Sequence, residues 1–182
     1  MINWLFRLLL TFNATSLLFI IYAVQKEIIL FDYIPSSGIG ISWNEIISYV
    51  GYIVLLVLMT ALSLSMSNRL GCDEFKQGEI TSIEHANNSF LPSYLGYFFV
   101  ALSIGNTTAF WVVYSILFVF TFLSQALYFN PLFLLFRYEF YNVKTNSGMS
   151  LFLISKNRYK TPTDIVIKKA YRINNYTFIE RE

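Results

Sequence analysis

The sequence predicts an all-α transmembrane bundle of four helices that carries a small antiparallel β-rich domain on its cytoplasmic side. Three observations predict it. Hydrophobic residues make up 55% of the chain and charged residues 13%, about half the charged share of a soluble domain. Charge is absent from Leu8–Gln25, Ile46–Asn68 and Ala86–Phe136, runs of 18, 23 and 51 residues. Lipid selects such runs, because each charge placed in it costs several kcal/mol. Beyond Arg137 the pattern changes to short aromatic and β-branched segments separated by turn residues. Residues 1–136 are therefore read as the membrane region and 137–182 as the β-rich domain.

The spans follow in order, at about 4–24, 46–64, 89–104 and 109–128. In the first, Trp4–Val24, Arg7 snorkels toward the headgroups. The segment lacks the small-residue cleavage site of a signal peptide and is expected to be retained. The second, Ile46–Leu64, has Trp43 as an interfacial anchor. Asn88 and Ser89 are expected to cap the third, with Pro92 in its first turn, where a missing N–H costs little. Gly105-Asn106-Thr107-Thr108 is the turn-like tetrad that divides the long run. It leaves the third span about 16 residues, short for a crossing of roughly 30 Å. The fourth, Ala109–Tyr128, ends at Asn130-Pro131.

Nine of the 13 basic residues lie in the tail, from Arg137 to Arg181, and only Lys26 falls in the loop between the first two spans. Four spans place both termini on one side, and the positive-inside bias makes that side cytoplasmic. The single Cys72 excludes an intrachain disulfide and is expected to be a reduced thiol.

In the tail, Tyr138–Thr145 and Met149–Ile154 flank the turn signal Asn146-Ser147-Gly148, and Ile165–Ile173 and Tyr176–Ile179 flank Asn174-Asn175. This predicts an antiparallel sheet of three to four strands. Glu79–Glu84, in the loop between the second and third spans, is a candidate additional strand.

Catalysis finds little to stand on. There is one histidine, His85, and no HExxH, GxSxG, Walker or GxGxxG pattern. Beside Glu84 it reads as half of a solvated juxtamembrane pair, a catalytic or pH-sensing role being the sharper alternative. No cofactor or metal site is expected. The spans hold no midway ionisable group, and their polar content is Thr11, Asn13, Thr15, Ser16, Thr60, Ser63, Ser115, Thr121, Ser124 and Gln125. Asn13 reads first as a hydrogen bond between helices, and alternatively as a pore-lining side chain. A membrane enzyme lacks candidate residues. An ion channel or pore-forming protein is thus the alternative to a sensor or scaffold.

The basic tail is expected to touch anionic headgroups, each cation adding about 1 kcal/mol. Nine basic against four acidic residues falls short of a dedicated nucleic-acid face, and no direct nucleic-acid contact is expected. Lys156, Arg158, Tyr159, Lys160, Tyr171 and Arg172 are the candidates for docking a soluble cytoplasmic effector, with tyrosines as anchors and cations for steering.

The outline of four spans with a β-rich tail, together with Phe90-Leu91-Pro92-Ser93-Tyr94-Leu95-Gly96-Tyr97-Phe98-Phe99-Val100-Ala101-Leu102 and the ending Tyr171-Arg172-Ile173-Asn174-Asn175-Tyr176-Thr177-Phe178, resembles the KwaA family, membrane subunits of the Kiwa anti-phage defence systems. The resemblance implies a multi-pass protein of the bacterial inner membrane that senses phage attack and works with a soluble DNA-binding partner, KwaB. It also suggests a homo-oligomer, with a tetramer expected. It implies no catalytic residues.

Overall fold

The computed structural model describes residues 2–30, 43–87, 91–124, 130 and 132–181. The expected caps Asn88 and Ser89, residues 31–42, Gln125, Tyr128 and Pro131 lie outside the described residues.

The membrane half has four helices: α1 (Ile2–Gln25), α2 (Trp43–Met66), α3 (Leu91–Ser103) and α4 (Thr107–Ser124). Three segments are long and apolar enough to cross a membrane, namely Trp4–Gln25, Trp43–Arg69 and Thr107–Ser124. The expected fourth, α3, has 13 residues, about 20 Å at 1.5 Å per residue, against a hydrocarbon layer of roughly 30 Å. The four expected spans thus become three full-length candidates and one short apolar helix. Asn106 divides α3 from α4 as the tetrad predicts. Its Oδ1 accepts the Ala109 N–H at 2.7 Å, an N-cap that satisfies one of the first free donors of α4.

Helix α1 is the shared partner, packing against α2, α3 and α4. Its hydroxyls are satisfied within the helix: Thr11 donates to the Arg7 carbonyl at 2.9 Å and Thr15 to the Thr11 carbonyl at 3.0 Å. It ends at Lys26-Glu27, where Glu27 takes φ +52°. There the Ile28 and Glu27 N–H groups bond back to Ala23 and Val24, the two bonds of a Schellman turn. Much of α2 and α4 remains uncovered, including Leu55, Leu58, Trp111, Phe120 and Leu123. So much exposed apolar surface suits lipid or a neighbouring subunit rather than water.

A short helix, α5 (Leu132–Leu135), leads into the sheet. Asn130 Oδ1 caps it through the Leu132 N–H at 3.0 Å. A second Schellman turn ends it, with Arg137 at φ +62° and the Tyr138 N–H on the Phe133 carbonyl at 3.1 Å.

The sheet has six strands: β1 (Cys72–Phe75), β2 (Ile80–His85), β3 (Glu139–Thr145), β4 (Ser150–Ser155), β5 (Ile167–Arg172) and β6 (Thr177–Glu180). Both expected hairpins form. Gly148 supplies the positive φ, +80°, between β3 and β4, and Asn174-Asn175 separate β5 from β6. The expected wholly antiparallel sheet of three to four strands is corrected in two respects. The order is β1-β5-β6-β4-β3-β2, and β4 and β6 run parallel. β4 and β5 run in opposite directions, so the segment 156–166 begins and ends at one end of the sheet, and β6, returning from the hairpin, fills the place between them in the direction of β4. Two strands come from the loop between α2 and α3, so the sheet also takes in Cys72–His85.

That placement forces the sheet to roll. β1 and β2 are four residues apart yet occupy opposite edges. Five strand spacings of a flat sheet span about 24 Å, whereas the chain from Phe75 to Ile80 reaches at most about 18 Å. Following the pairings, β1 and β2 also point the same way, as two halves of one bent strand. Irregular register in both β1 and β2 supplies the bend. The inner core draws on every strand: Phe75, Ile80, Tyr141, Val143, Leu151, Leu153, Ile167 and Phe178.

The outer face joins the helices. Phe140, Phe152, Ile154 and Ile179 of the sheet form one cluster with Phe6 and Leu10 of α1, Leu64 of α2 and Phe133 of α5. Nothing polar separates the domain from the bundle at this point; the two share a hydrophobic core.

Candidate functional site

Three of the tail's nine cations, Lys156, Arg158 and Lys160, lie on the segment between β4 and β5, and two carboxylates hold that segment in shape. The first is Glu180 on β6, 7% exposed. It accepts the Ser155 hydroxyl, Asn157 Nδ2 at 3.1 Å and the Tyr159 hydroxyl, which lies 2.8 Å from both oxygens. Burial of a carboxylate is tolerable only with donors of this kind. Burial, reinforced by the bond to Glu180, pushes the Tyr159 phenol well above its ordinary value.

The second carboxylate is Glu139 at the start of β3. Arg158 Nε lies 2.8 Å from its Oε1, the Tyr141 hydroxyl 2.7 Å from its Oε2, and His85 Nε2 3.5 Å from Oε2. Partial burial opposes the charged form. The hydrogen bonds from Tyr141 and Arg158 and the nearby Arg158 and His85 charges outweigh it, so the Glu139 carboxyl is held below its usual range. Tyr141 is pushed up to about 12, by burial first and then by its bond to Glu139. Its oxygen also accepts the Tyr159 N–H at 3.3 Å, which links the two carboxylate centres. His85, at the end of β2, thus reaches across to Glu139 on β3.

The six docking candidates separate into two groups. Lys156, Arg158, Tyr159 and Lys160 share the β4–β5 segment, while Tyr171 and Arg172 lie at the end of β5. The Lys156 ammonium sits 5.1 Å over the Tyr138 ring. Arg158 holds Glu139 with its side chain 85% exposed, and Lys160 is exposed. Tyr159, expected to be an exposed anchor, is half-buried against Tyr141 and committed to Glu180. Tyr171 is half-buried against the cluster shared with the helices, and the nearby exposed tyrosine is Tyr176. Arg172 places Nε 2.9 Å from Asp73 Oδ2 on β1 and its guanidinium 5.9 Å over Phe178. Its charge is largely spent within the sheet. Of the six, Lys156 and Lys160 stand in none of the ion pairs found among the described residues, while Arg158 is exposed but paired with Glu139.

Sequence reading missed Glu139, Glu180, Tyr138 and Arg181. Glu180 lies in Thr177–Glu180, a strand buried at every position, and a carboxylate ending such a strand was the available signal.

Several polar residues of α1 and α2 serve helix contacts. Asn13 Nδ2 lies 3.3 Å from both the Met59 carbonyl and Ser63 Oγ of α2. Thr15 reaches the Tyr114 hydroxyl of α4 at 3.3 Å, and Asn130 reaches Thr60 at 3.1 Å. Asn13, Thr15, Thr60 and Ser63 are fully buried, which places them inside the packing of the single chain.

Comparison with known families finds one whose model, described as anti-phage protein KwaA, matches residues 6–179. No curated protein and no solved structure matches the chain.

Proposed function

The chain belongs to the KwaA family of anti-phage proteins, and from that premise we propose that it is a non-enzymatic sensor and scaffold of the bacterial inner membrane. One observation carries this reading. The cluster of Phe6, Leu10, Leu64 and Phe133 with Phe140, Phe152, Ile154 and Ile179 makes the helix ends and the sheet one packed body. Close-packed interiors transmit displacement rather than absorb it. A disturbance that shifts α1 against α2 thus also moves the sheet and the basic segment between β4 and β5.

That segment recruits a soluble, KwaB-like effector, itself a DNA-binding protein, through Lys156, Arg158 and Lys160. Tyr159 shapes the segment, and Tyr171 and Arg172 brace the sheet behind it. The start of α1, the end of α2 and the sheet meet in one cluster, which fits both chain ends on a single side. The excess of basic residues there favours the cytoplasm. In this reading α3 is the fourth crossing, its short length accommodated by local thinning or by neighbouring subunits. The uncovered faces of α2 and α4 suit a homo-oligomer, taken here as a tetramer, and lipid at its perimeter.

The supporting test is copurification of the full chain from its native membranes, followed by mass spectrometry. A soluble cytoplasmic protein retained in near-stoichiometric amount supports the reading. A chain recovered with lipid alone, under mild detergent and low salt, removes the scaffold role.

A further inference from the structure

Two adjoining clefts open where the sheet meets the end of α2. The first, about 310 Å³, is lined by Tyr138, Lys156, Asn157, Glu180 and Arg181. The second, about 290 Å³, shares Tyr138, Lys156 and Arg181 and adds Ala61, Leu64, Ser65 and Phe136. One end is therefore cationic and the other mostly apolar, with the two cations at the boundary between them.

The cations are held but not neutralised. Arg181 spans the junction: its N–H bonds the Lys169 carbonyl at 3.1 Å and its Nη1 bonds Asn68 Oδ1 at 2.8 Å, just beyond α2. Its Nε is buried and finds no acceptor among the described residues. The three ion pairs found among those residues involve neither Lys156 nor Arg181. Glu180 lines the first cleft, but its oxygens accept from Ser155, Asn157 and Tyr159. A buried donor without an acceptor costs free energy until an anion supplies one. The apolar arm lies at Ala61–Ser65, near the end of the candidate span Trp43–Arg69, where a helix that crosses a bilayer approaches the headgroups.

We propose that this cleft binds the phosphate of an anionic membrane lipid, with Lys156 and Arg181 as its ligands and the Ala61–Leu64–Phe136 wall receiving the start of an acyl chain. The phosphate ester is the recognised chemistry. The apolar arm and the position at the end of a span favour a lipid over a free phosphate ion. The site ties the basic segment, through Lys156, to the composition of the bilayer.

The test uses the full-length chain, delipidated in mild detergent and then offered equal phosphatidylglycerol and phosphatidylcholine, with retained lipid read by native mass spectrometry. Wild-type protein should retain phosphatidylglycerol in preference. Lys156→Met, which keeps the stem on Tyr138, combined with Arg181→Gln, should lower that retention by roughly 5- to 30-fold, as expected for two lost contacts with an anionic headgroup. A control pair, Lys144→Gln with Lys168→Gln, removes the same charge elsewhere and should retain wild-type levels. Since Arg181 also braces Asn68, Ala61→Trp provides an independent variant that fills the apolar arm with both cations intact; it should lower retention as well. Equal retention of both lipids, or equal losses in the cleft and control pairs, overturns the proposal. So does displacement of the lipid by an equimolar amount of inorganic phosphate, which would indicate a site for a free anion.

Discussion

The Tyr159 hydroxyl lies 2.8 Å from both carboxylate oxygens of Glu180, 21 residues away in sequence. This bond turns an expected surface anchor into an internal strut. Removing the hydroxyl leaves a buried carboxylate short of a donor, at a cost of about 1–3 kcal/mol. Tyr159→Phe should lower the thermal midpoint of the detergent-solubilised chain and speed amide exchange across residues 156–162. Unchanged exchange there would show that the loop is held by something else.

Asn13 contributes a bond between helices. Asn13→Ala should cost about 0.5–2 kcal/mol through loss of its contacts with Met59 and Ser63. Ion flux through liposomes containing the chain should not change. A large change in conductance with intact folding would instead favour the pore reading.

Glu139 sets an acid limb of stability. Its folded pKa lies below the ordinary glutamate value of 4.5. The stabilisation is therefore complete above that value and is lost as pH falls through the depressed one. Thermal midpoints measured from pH 7 down to pH 3 should fall on the acid side, and Glu139→Gln should flatten that fall. An identical pH profile in the variant would remove Glu139 from the account.

Phe133 joins α5 to the outer face of the sheet and is stacked with Phe140 at 6.2 Å between centroids. Phe133→Ala should cost about 3–5 kcal/mol. If the junction is one packed core, sheet and helices should then loosen together, read as simultaneous gains in exchange in β3 and at the start of α1. Gains confined to α5 would mean the two halves are separable.

The sequence displayed what is local and hid what is distant. Asn106 and Gly148 mark their turns because an N-cap and a positive φ are chosen by single residues. The long charge-free runs marked the helices, though not that α3 stops at 13 residues, since composition alone does not mark where an apolar run stops being helical. The hairpins at 146–148 and 174–175 were legible, but the parallel pairing of β4 with β6 was not. It depends on which hairpin edge meets which, a choice set by packing across 20 residues or more. The same holds for the site. Lys156, Arg158 and Lys160 announce themselves as a basic cluster. By contrast, the roles of Tyr159 and Glu180 exist only once β6 lies beside β4, and those of Arg181 and Asn68 only once the sheet meets α2.

The central claim is that the basic segment between β4 and β5 recruits a soluble effector, and exchanging its charge tests this most directly. Arg158→Gln with Lys160→Glu removes the outward cations while sparing Glu139 a like charge and leaving Lys156 in its cleft. Copurification of the effector with the full chain, compared between wild type and this variant at matched low salt, is the measurement. The account predicts at least a tenfold loss of retained effector, about 1.4 kcal/mol, with membrane insertion and oligomer size unchanged. Retention at the wild-type level would contradict it.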